Sequence, residues 1–237
     1  MTDDTALLER VREALRADMG IGFDGRPIAL TLSNGDLVME GEVADVSTKR
    51  RALRRAAEAI PGRFIVDRLY VRPAVAMEDG EIRDLVRDAL LDEPALSQCR
   101  VREWVKGDLQ PVRDPPDATG TLDIRVEDGV VTLDGDVTGL GQKRLAGALA
   151  WWVAGSRDVI NGLGVTPPEG DSDFEIADAV RLVLEKDPFV NADQLRVGVK
   201  NAVVALDGVV PTEAERDMAG HELGMSLASR TSSTVSR

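Results

Sequence analysis

Small two-layer α+β modules in tandem are the fold class this sequence predicts, each ordered helix-strand-strand-helix-strand with a three-stranded mixed sheet covered by two helices. Three observations carry the prediction. One short pattern recurs three times, and an amphipathic helix precedes each occurrence. Only 3% of the 237 residues are aromatic, so cores must be built from Ala, Val, Leu and Ile, which favours several small cores over one large one.

The recurring segments read NGDLVMEGEV (34–43), DGVVTLDGDV (128–137) and NAVVALDGVV (201–210), and they align without gaps. Upstream of each lies a helix with apolar residues four apart: Leu7, Val11 and Leu15, then Ile82, Val86 and Leu90, then Ile176, Val180 and Leu184. That spacing lines one face. A first strand follows, alternating through Ile28, Leu30 and Leu32, then Leu122, Ile124 and Val126, then Leu195, Val197 and Val199. Period two of this kind predicts one buried sheet face. Asn34-Gly35 and Asp128-Gly129 are two-residue hairpin turns, because both residue types tolerate positive φ; the third copy has Asn201-Ala202 there. The second strand carries Leu37, Met39 and Val43, then Val131, Leu133 and Val137, then Val204, Leu206 and Val210. Gly41, Gly135 and Gly208 recur within it at positions suited to a close backbone approach or to the start of the next helix.

A second helix is predicted near residues 47–60 and 140–154, ended by Pro61-Gly62 and by Gly155. Third strands follow at FIVDRLYV (64–71) and DVINGLGV (158–165). The interval between the first two anchors exceeds the second interval by the length of one insertion between Leu90 and Leu122. Its stretch KGDLQPVRDPPDATG (106–120) has three prolines and two glycines and is read as a loop. The modules are therefore placed at 5–73, at 79–167 with the insertion near 100–121, and at 172–225 with its last strand missing. Ten of the last twelve residues are Ser, Thr, Arg or Ala, so 226–237 is read as a disordered tail.

The order of elements, the turn followed by V-x-L-x-G-x-V, and the G-x-x-x-V-x-N-x-L-x-V ending of copy two (Gly155, Val159, Asn161, Leu163, Val165) resemble the BON domain, a family named for bacterial osmotic-stress and nodulation proteins. The resemblance covers nearly the whole chain as three tandem copies, the third incomplete. It implies a non-enzymatic module that binds phospholipid surfaces or partner proteins in stress-related or envelope-associated physiology, and it brings no catalytic residues.

Composition points the same way. Acidic residues number 42 against 29 basic, for a net charge of -13, which disfavours nucleic acid as a partner because such binding works by neutralising phosphates. One cysteine, Cys99, and one histidine, His221, exclude an intramolecular disulfide and leave no set for a His-based catalytic or zinc site. No metal and no cofactor is expected, since the insertion and linker carboxylates match no calcium-loop spacing. GIGFDG (20–25) matches G-x-G-x-x-G in letters only, because a helix precedes it and a strand follows, the reverse of a dinucleotide site. The first twenty residues carry charge throughout and lack the apolar stretch of an export signal, and the longest nearly apolar run, 145–155, is too short to span a bilayer. A cytoplasmic protein, not integral to a membrane, is the resulting expectation. Oligomeric state is left open.

Two features suggest a contact surface. Lys49, Arg50, Arg51, Arg54 and Arg55 crowd the second helix of copy one, whose apolar face is read as Leu53, Ala56, Ala57 and Ile60. Residues 1–75 hold 12 acidic and 12 basic side chains, so the acidity belongs to the other copies. This helix suits an anionic lipid surface or an acidic protein partner; the alternative is a solvated face paired with Asp45 and Glu58. Trp151 and Trp152 lie on the second helix of copy two, and their 100° separation predicts Trp152 in the core and Trp151 half-exposed, available to a partner or to the next copy. The turn and strand residues Asn34, Gly35, Gly41, Asp128, Gly129, Gly135, Gly155, Asn161 and Gly208 are read as structural. An alternative role for the whole chain is that of a structural or chaperone-like osmotic-stress protein acting through exposed sheet edges.

Overall fold

A computed structural model describes residues 3–17, 27–166, 172–186, 192, 195–200 and 203–208. The chain divides into two compact units, 1–72 and 73–237. In the first, α1 (Asp3–Ala17) precedes a hairpin of β1 (Ala29–Ser33) and β2 (Asp36–Val43), then α2 (Val46–Ala59) and β3 (Ile65–Val71). The hairpin turns on Asn34 and Gly35, both at positive φ, the combination whose twist matches antiparallel strands. β3 then pairs parallel to β2, Leu37 opposite Ile65. Both helices close over one face, where Leu7, Val11, Leu15, Leu30, Leu37, Met39, Ala52, Ala56, Ile60 and Leu69 form the core. On α2 the inner face differs from the sequence reading by one residue: Ala52 is buried and Ala57 is exposed, because a run of four (52, 56, 60) tracks the sheet while 57 falls a quarter-turn outward.

The second unit begins with α3 (Asp79–Asp92), followed by β4 (Cys99–Val105), β5 (Asp108–Arg113), β6 (Gly120–Glu127), β7 (Val130–Val137), α4 (Leu140–Trp152), β8 (Asp158–Asn161) and β9 (Gly164–Val165). β6 and β7 form the hairpin and β8 pairs parallel to β7 with Val131 opposite Val159, the arrangement of the first unit. β9 continues along β7 past a break at Gly162 and Leu163. The reading of 106–120 as a loop is corrected: the insertion is a β4–β5 hairpin, with β4 parallel to β6, so this sheet runs β5-β4-β6-β7-β8. Lys106 and Gly107, both at positive φ, make its tight turn. Pro111 is tolerated because β5 is an edge strand, where a missing N–H breaks no ladder. Pro115 and Pro116 follow the end of β5, while Pro111 lies inside it opposite Arg102.

Copy three contributes α5 (Asp173–Lys186) and an antiparallel pair, β10 (Leu195–Lys200) with β11 (Val203–Gly208). Ile176, Val180, Leu184, Leu195, Val204 and Leu206 form its core. The expected turn at Asn201-Ala202, the missing third strand, Val210, His221, the tail 226–237 and the GIGFDG segment lie outside the described residues.

Candidate functional site

α2 is entered through Asp45, whose carboxylate accepts the Thr48 N–H at 2.6 Å, a cap worth about 1 kcal/mol. The five basic residues that follow do not form one surface. Lys49 is only 6% exposed and reaches down to β3, where its Nζ lies 3.1 Å from Asp67 Oδ2. Arg50 is half-buried, and burial lowers its guanidinium pKa to about 10, so it remains charged at neutral pH. Arg51 donates to Thr48 Oγ1 at 3.4 Å. Arg54 is half-buried one turn on, and Arg55 meets Glu58 at 3.2 Å, with both side chains about half exposed. Lys49 thus belongs to the fold, while Arg50, Arg51, Arg54 and Arg55 lie on the sides of α2 turned away from the sheet.

The same positions in copy two lie 94 residues further on, the offset from Asn34 to Asp128. It carries Lys49 and Arg50 onto Lys143 and Arg144, and Asp67 onto Asn161. Where Lys49 meets Asp67 through charge, Asn161 Nδ2 donates to the Lys143 carbonyl at 2.7 Å, passing so close to Gly147 that a Cβ there would lie 2.7 Å away. Elsewhere the helices diverge. Arg51, Arg54, Arg55 and Glu58 correspond to Leu145, Ala148, Leu149 and Trp152. Leu145, Ala148 and Leu149 are buried, and Leu182 of α5 packs against the same core. Ala179 and Val183 of α5 are buried too, and Arg144 Nη1 reaches the Glu175 carbonyl at 3.5 Å. Trp151 and Trp152 are both half-buried. The expected core position of Trp152 is thereby corrected: it packs against the core from the last residue of α4, beyond the point where Ala146 and Ala150 hold the helix close to the sheet.

The turn and strand residues meet backbone or packed side chains. Gly41 and Gly135 have positive φ inside β2 and β7, and a Cβ on Gly135 would collide with the Thr121 carbonyl oxygen. Gly155 is buried between Ile82 and Met77, and Gly208 sits opposite Leu195 at the end of β11. Arg63 Nη1 donates to the Gly35 carbonyl at 2.6 Å; its counterpart Arg157 donates its N–H to the Gly129 carbonyl at 2.8 Å. One element escaped the sequence reading. Asp79, in the first turn of α3, accepts the N–H groups of Asp128 at 3.0 Å and Gly129 at 2.8 Å, tying helix to hairpin turn. Its signal was present: Asp4, Asp79 and Asp173 each stand three residues before the first core residue of their helix.

Several charged groups of the second unit hold the insertion against its neighbours. Glu103 of β4 lies 3.4 Å from Arg83 and 3.6 Å from Arg87 of α3. Arg102 is bidentate to Asp123, and Arg125 stacks over Trp104 at 4.7 Å. Cys99 is buried, and that burial pushes its thiol pKa up. Among the described residues no group of three His, Cys, Asp or Glu could hold a metal ion, and no helix is long and apolar enough to cross a membrane.

The chain is built of tandem α+β modules: the first two copies share a two-helix, three-stranded unit, and the described part of the third repeats its first helix and hairpin. The BON domain model matches residues 3–73, 112–167 and 172–222, and the chain belongs to the BON domain family as three tandem copies. The second match begins inside the insertion. Among solved structures, the chain is similar to the C-terminal domain of CdsD, the structural protein of the type III secretion system of Chlamydia trachomatis, at 13% identity and a TM-score of 0.22, covering 99% of this chain and 97% of that one. A second structure of CdsD matches at 12% identity and a TM-score of 0.21, covering 98% and 92%. The comparison with curated proteins gives no match.

Proposed function

We propose that this chain is a non-catalytic binding protein, with modules at 5–73, 79–167 and 172–225, whose contact surface is the outer side of α2 and whose target is anionic. One observation carries the reading: the positions that α4 fills with Leu145, Ala148 and Leu149 hold Arg51, Arg54 and Arg55 in α2. A face of that composition suits phosphate or carboxylate groups. The Arg55–Glu58 pair is a half-exposed surface pair of the kind worth at most about 1 kcal/mol, so exchanging it for a partner costs little. Trp151, in the second unit, is a separate and weaker candidate, because α4 is engaged by α5. Family membership supports a binding or stress-related role without catalysis. Capture of other chains by open sheet edges is less favoured, since β5 carries Pro111 and the β4–β5 pairing shifts register at Val101/Arg102, both of which discourage strand addition.

Each basic residue near an anionic membrane surface contributes about 1 kcal/mol. Arg54→Glu with Arg55→Glu is therefore expected to lower partition onto phosphatidylglycerol-containing vesicles by roughly thirtyfold or more, with no change on neutral phosphatidylcholine. An acidic polypeptide such as polyglutamate, tested in parallel, separates a lipid headgroup from a carboxylate target. Wild-type protein that ignores both anionic probes would sink the reading.

A further inference from the structure

We infer that copy three is a conditional module, which holds its fold only while α5 lies against α4 of copy two. α5 has two apolar sides. Ile176, Val180 and Leu184 face Leu195, Val204 and Leu206 in the core of copy three itself. Roughly a quarter-turn round the helix, Ala179 and Val183 are buried as well, and Leu182 packs against the core of copy two. A helix apolar on two sides is stable only between two layers.

The second side is peculiar to α5. At the matching positions α1 has Arg10, Glu13 and Ala14, and α3 has Leu85, Asp88 and Ala89. Its counterpart is peculiar to α4, where Leu145, Ala148 and Leu149 stand in place of Arg51, Arg54 and Arg55 of α2. The two unusual surfaces are the two that meet: Ala148 of α4 is buried, and Arg144 Nη1 reaches the Glu175 carbonyl at 3.5 Å across the seam. Dependence runs one way. The buried residues of the copy-two core all lie between Ile82 and Leu163, and among the described residues of α5 only Leu182, partly buried, packs against it. Opening the seam therefore strips one whole side of α5 while the core of copy two stays assembled.

Hydrogen exchange on the full chain reads each copy separately, because amides open in local cooperative groups. Ala148→Arg puts a charge into the seam from the copy-two side and is expected to speed exchange in β10–β11 by about a hundredfold or more, while β6–β7 keep their wild-type protection. Val183→Asp enters the same seam from α5 and should act alike, so the test survives if Ala148→Arg fails to fold. Leu206→Ala, inside the core of copy three, should speed exchange in β10–β11 by roughly thirtyfold or more and leave β6–β7 unchanged. Wild-type protection of β10–β11 in both seam variants overturns the inference, since copy three would then hold its fold without α4. Loss of protection in β6–β7 on Leu206→Ala overturns it too, because the dependence would then be mutual.

Discussion

α2 and α4 hold the same place in two copies of one fold, share a strand register, and have almost opposite surfaces. Lys49 and Arg50 recur as Lys143 and Arg144, and the inward alanines Ala52 and Ala56 recur as Ala146 and Ala150. Of these, Lys49 and the alanines are buried toward the sheet, where the copies impose the same geometry. The sides that turn away carry arginine in α2 and leucine or alanine in α4, where α5 covers them. The comparison teaches that the inner half of such a helix reports the fold and the outer half reports what lies against it.

Exchanging residues between the two helices breaks the comparison most severely. Ala148→Arg places the α2 residue into the buried α4–α5 contact, where a charge without a partner costs about 3–5 kcal/mol. Arg54→Ala places the α4 residue on the half-buried side of α2 and should stay within about 0.5 kcal/mol. Urea denaturation of the full chain measures both. Comparable losses from the two exchanges would mean that α2 is as tightly covered as α4.

The paired strand glycines sharpen the comparison at the backbone. Gly135→Ala adds a Cβ against the Thr121 carbonyl at positive φ, whereas on Gly41 the nearest atom, Ile28 Cα, lies 3.6 Å away. Both substitutions strain the backbone by roughly 1–3 kcal/mol, and Gly135→Ala should exceed Gly41→Ala because steric overlap adds to the same conformational cost. Thermal midpoints in the reverse order would refute it.

The link from second helix to third strand differs in kind. Lys49→Met leaves Asp67 without its 3.1 Å partner in a side chain one-third exposed, for an expected loss of about 1–3 kcal/mol. Asn161→Ala removes two neutral hydrogen bonds, one donated to the Lys143 carbonyl at 2.7 Å and a long one accepted from the Leu163 N–H at 3.4 Å, for about 1–2 kcal/mol. Raising salt should narrow the gap between the two variants, since only the first involves charge. A gap independent of salt would show that the Lys49 effect is packing of its stem.

Much of this architecture was legible because its determinants are local. Period-four helices, period-two strands and the Asn34-Gly35 and Asp128-Gly129 turns specify elements within a few residues of themselves, so the repeat, the hairpins and the core residues could be read directly. The insertion was not, because its prolines read as a loop although Pro111 lies inside β5, and only the sheet reveals that β4 finds β6 at its side. The basic helix was visible as a cluster, but Lys49 could not be separated from its neighbours until Asp67 was placed beneath it. Burial of Ala148 depends on α5, which begins only at Asp173 beyond the third strand, so no local pattern in α4 announces its cover. Asp79 was legible in retrospect: its threefold recurrence lay in the sequence, and the hairpin it holds lay 49 residues downstream.

The smallest expected effect contrasts the starts of α5 and α3. At α5, Ser172 Oγ and N–H both donate to Glu175 Oε2, at 2.6 and 2.9 Å, and Glu175 N–H returns a bond to Ser172 Oγ at 3.2 Å. These bonds, the side-chain one foremost, hold the Glu175 carboxyl below the usual carboxylate range. A pKa depressed by folding contributes stability that is present above the ordinary carboxylate value and is lost as pH falls through the lower, folded one. At α3 the cap is Glu78, whose N–H donates to Glu81 Oε2 at 3.1 Å without a hydroxyl to add a second bond. Ser172→Ala should therefore destabilise at neutral pH by a small amount that shrinks on acidification, as the wild-type carboxyl takes up its proton. Glu78→Ala leaves that backbone donor, and so the bond to Glu81, in place. Denaturation midpoints for both variants from pH 7 down to about 3 measure this, and a Ser172→Ala deficit that stays constant over the range would mean that the serine acts through the backbone cap alone, independent of the charge on Glu175.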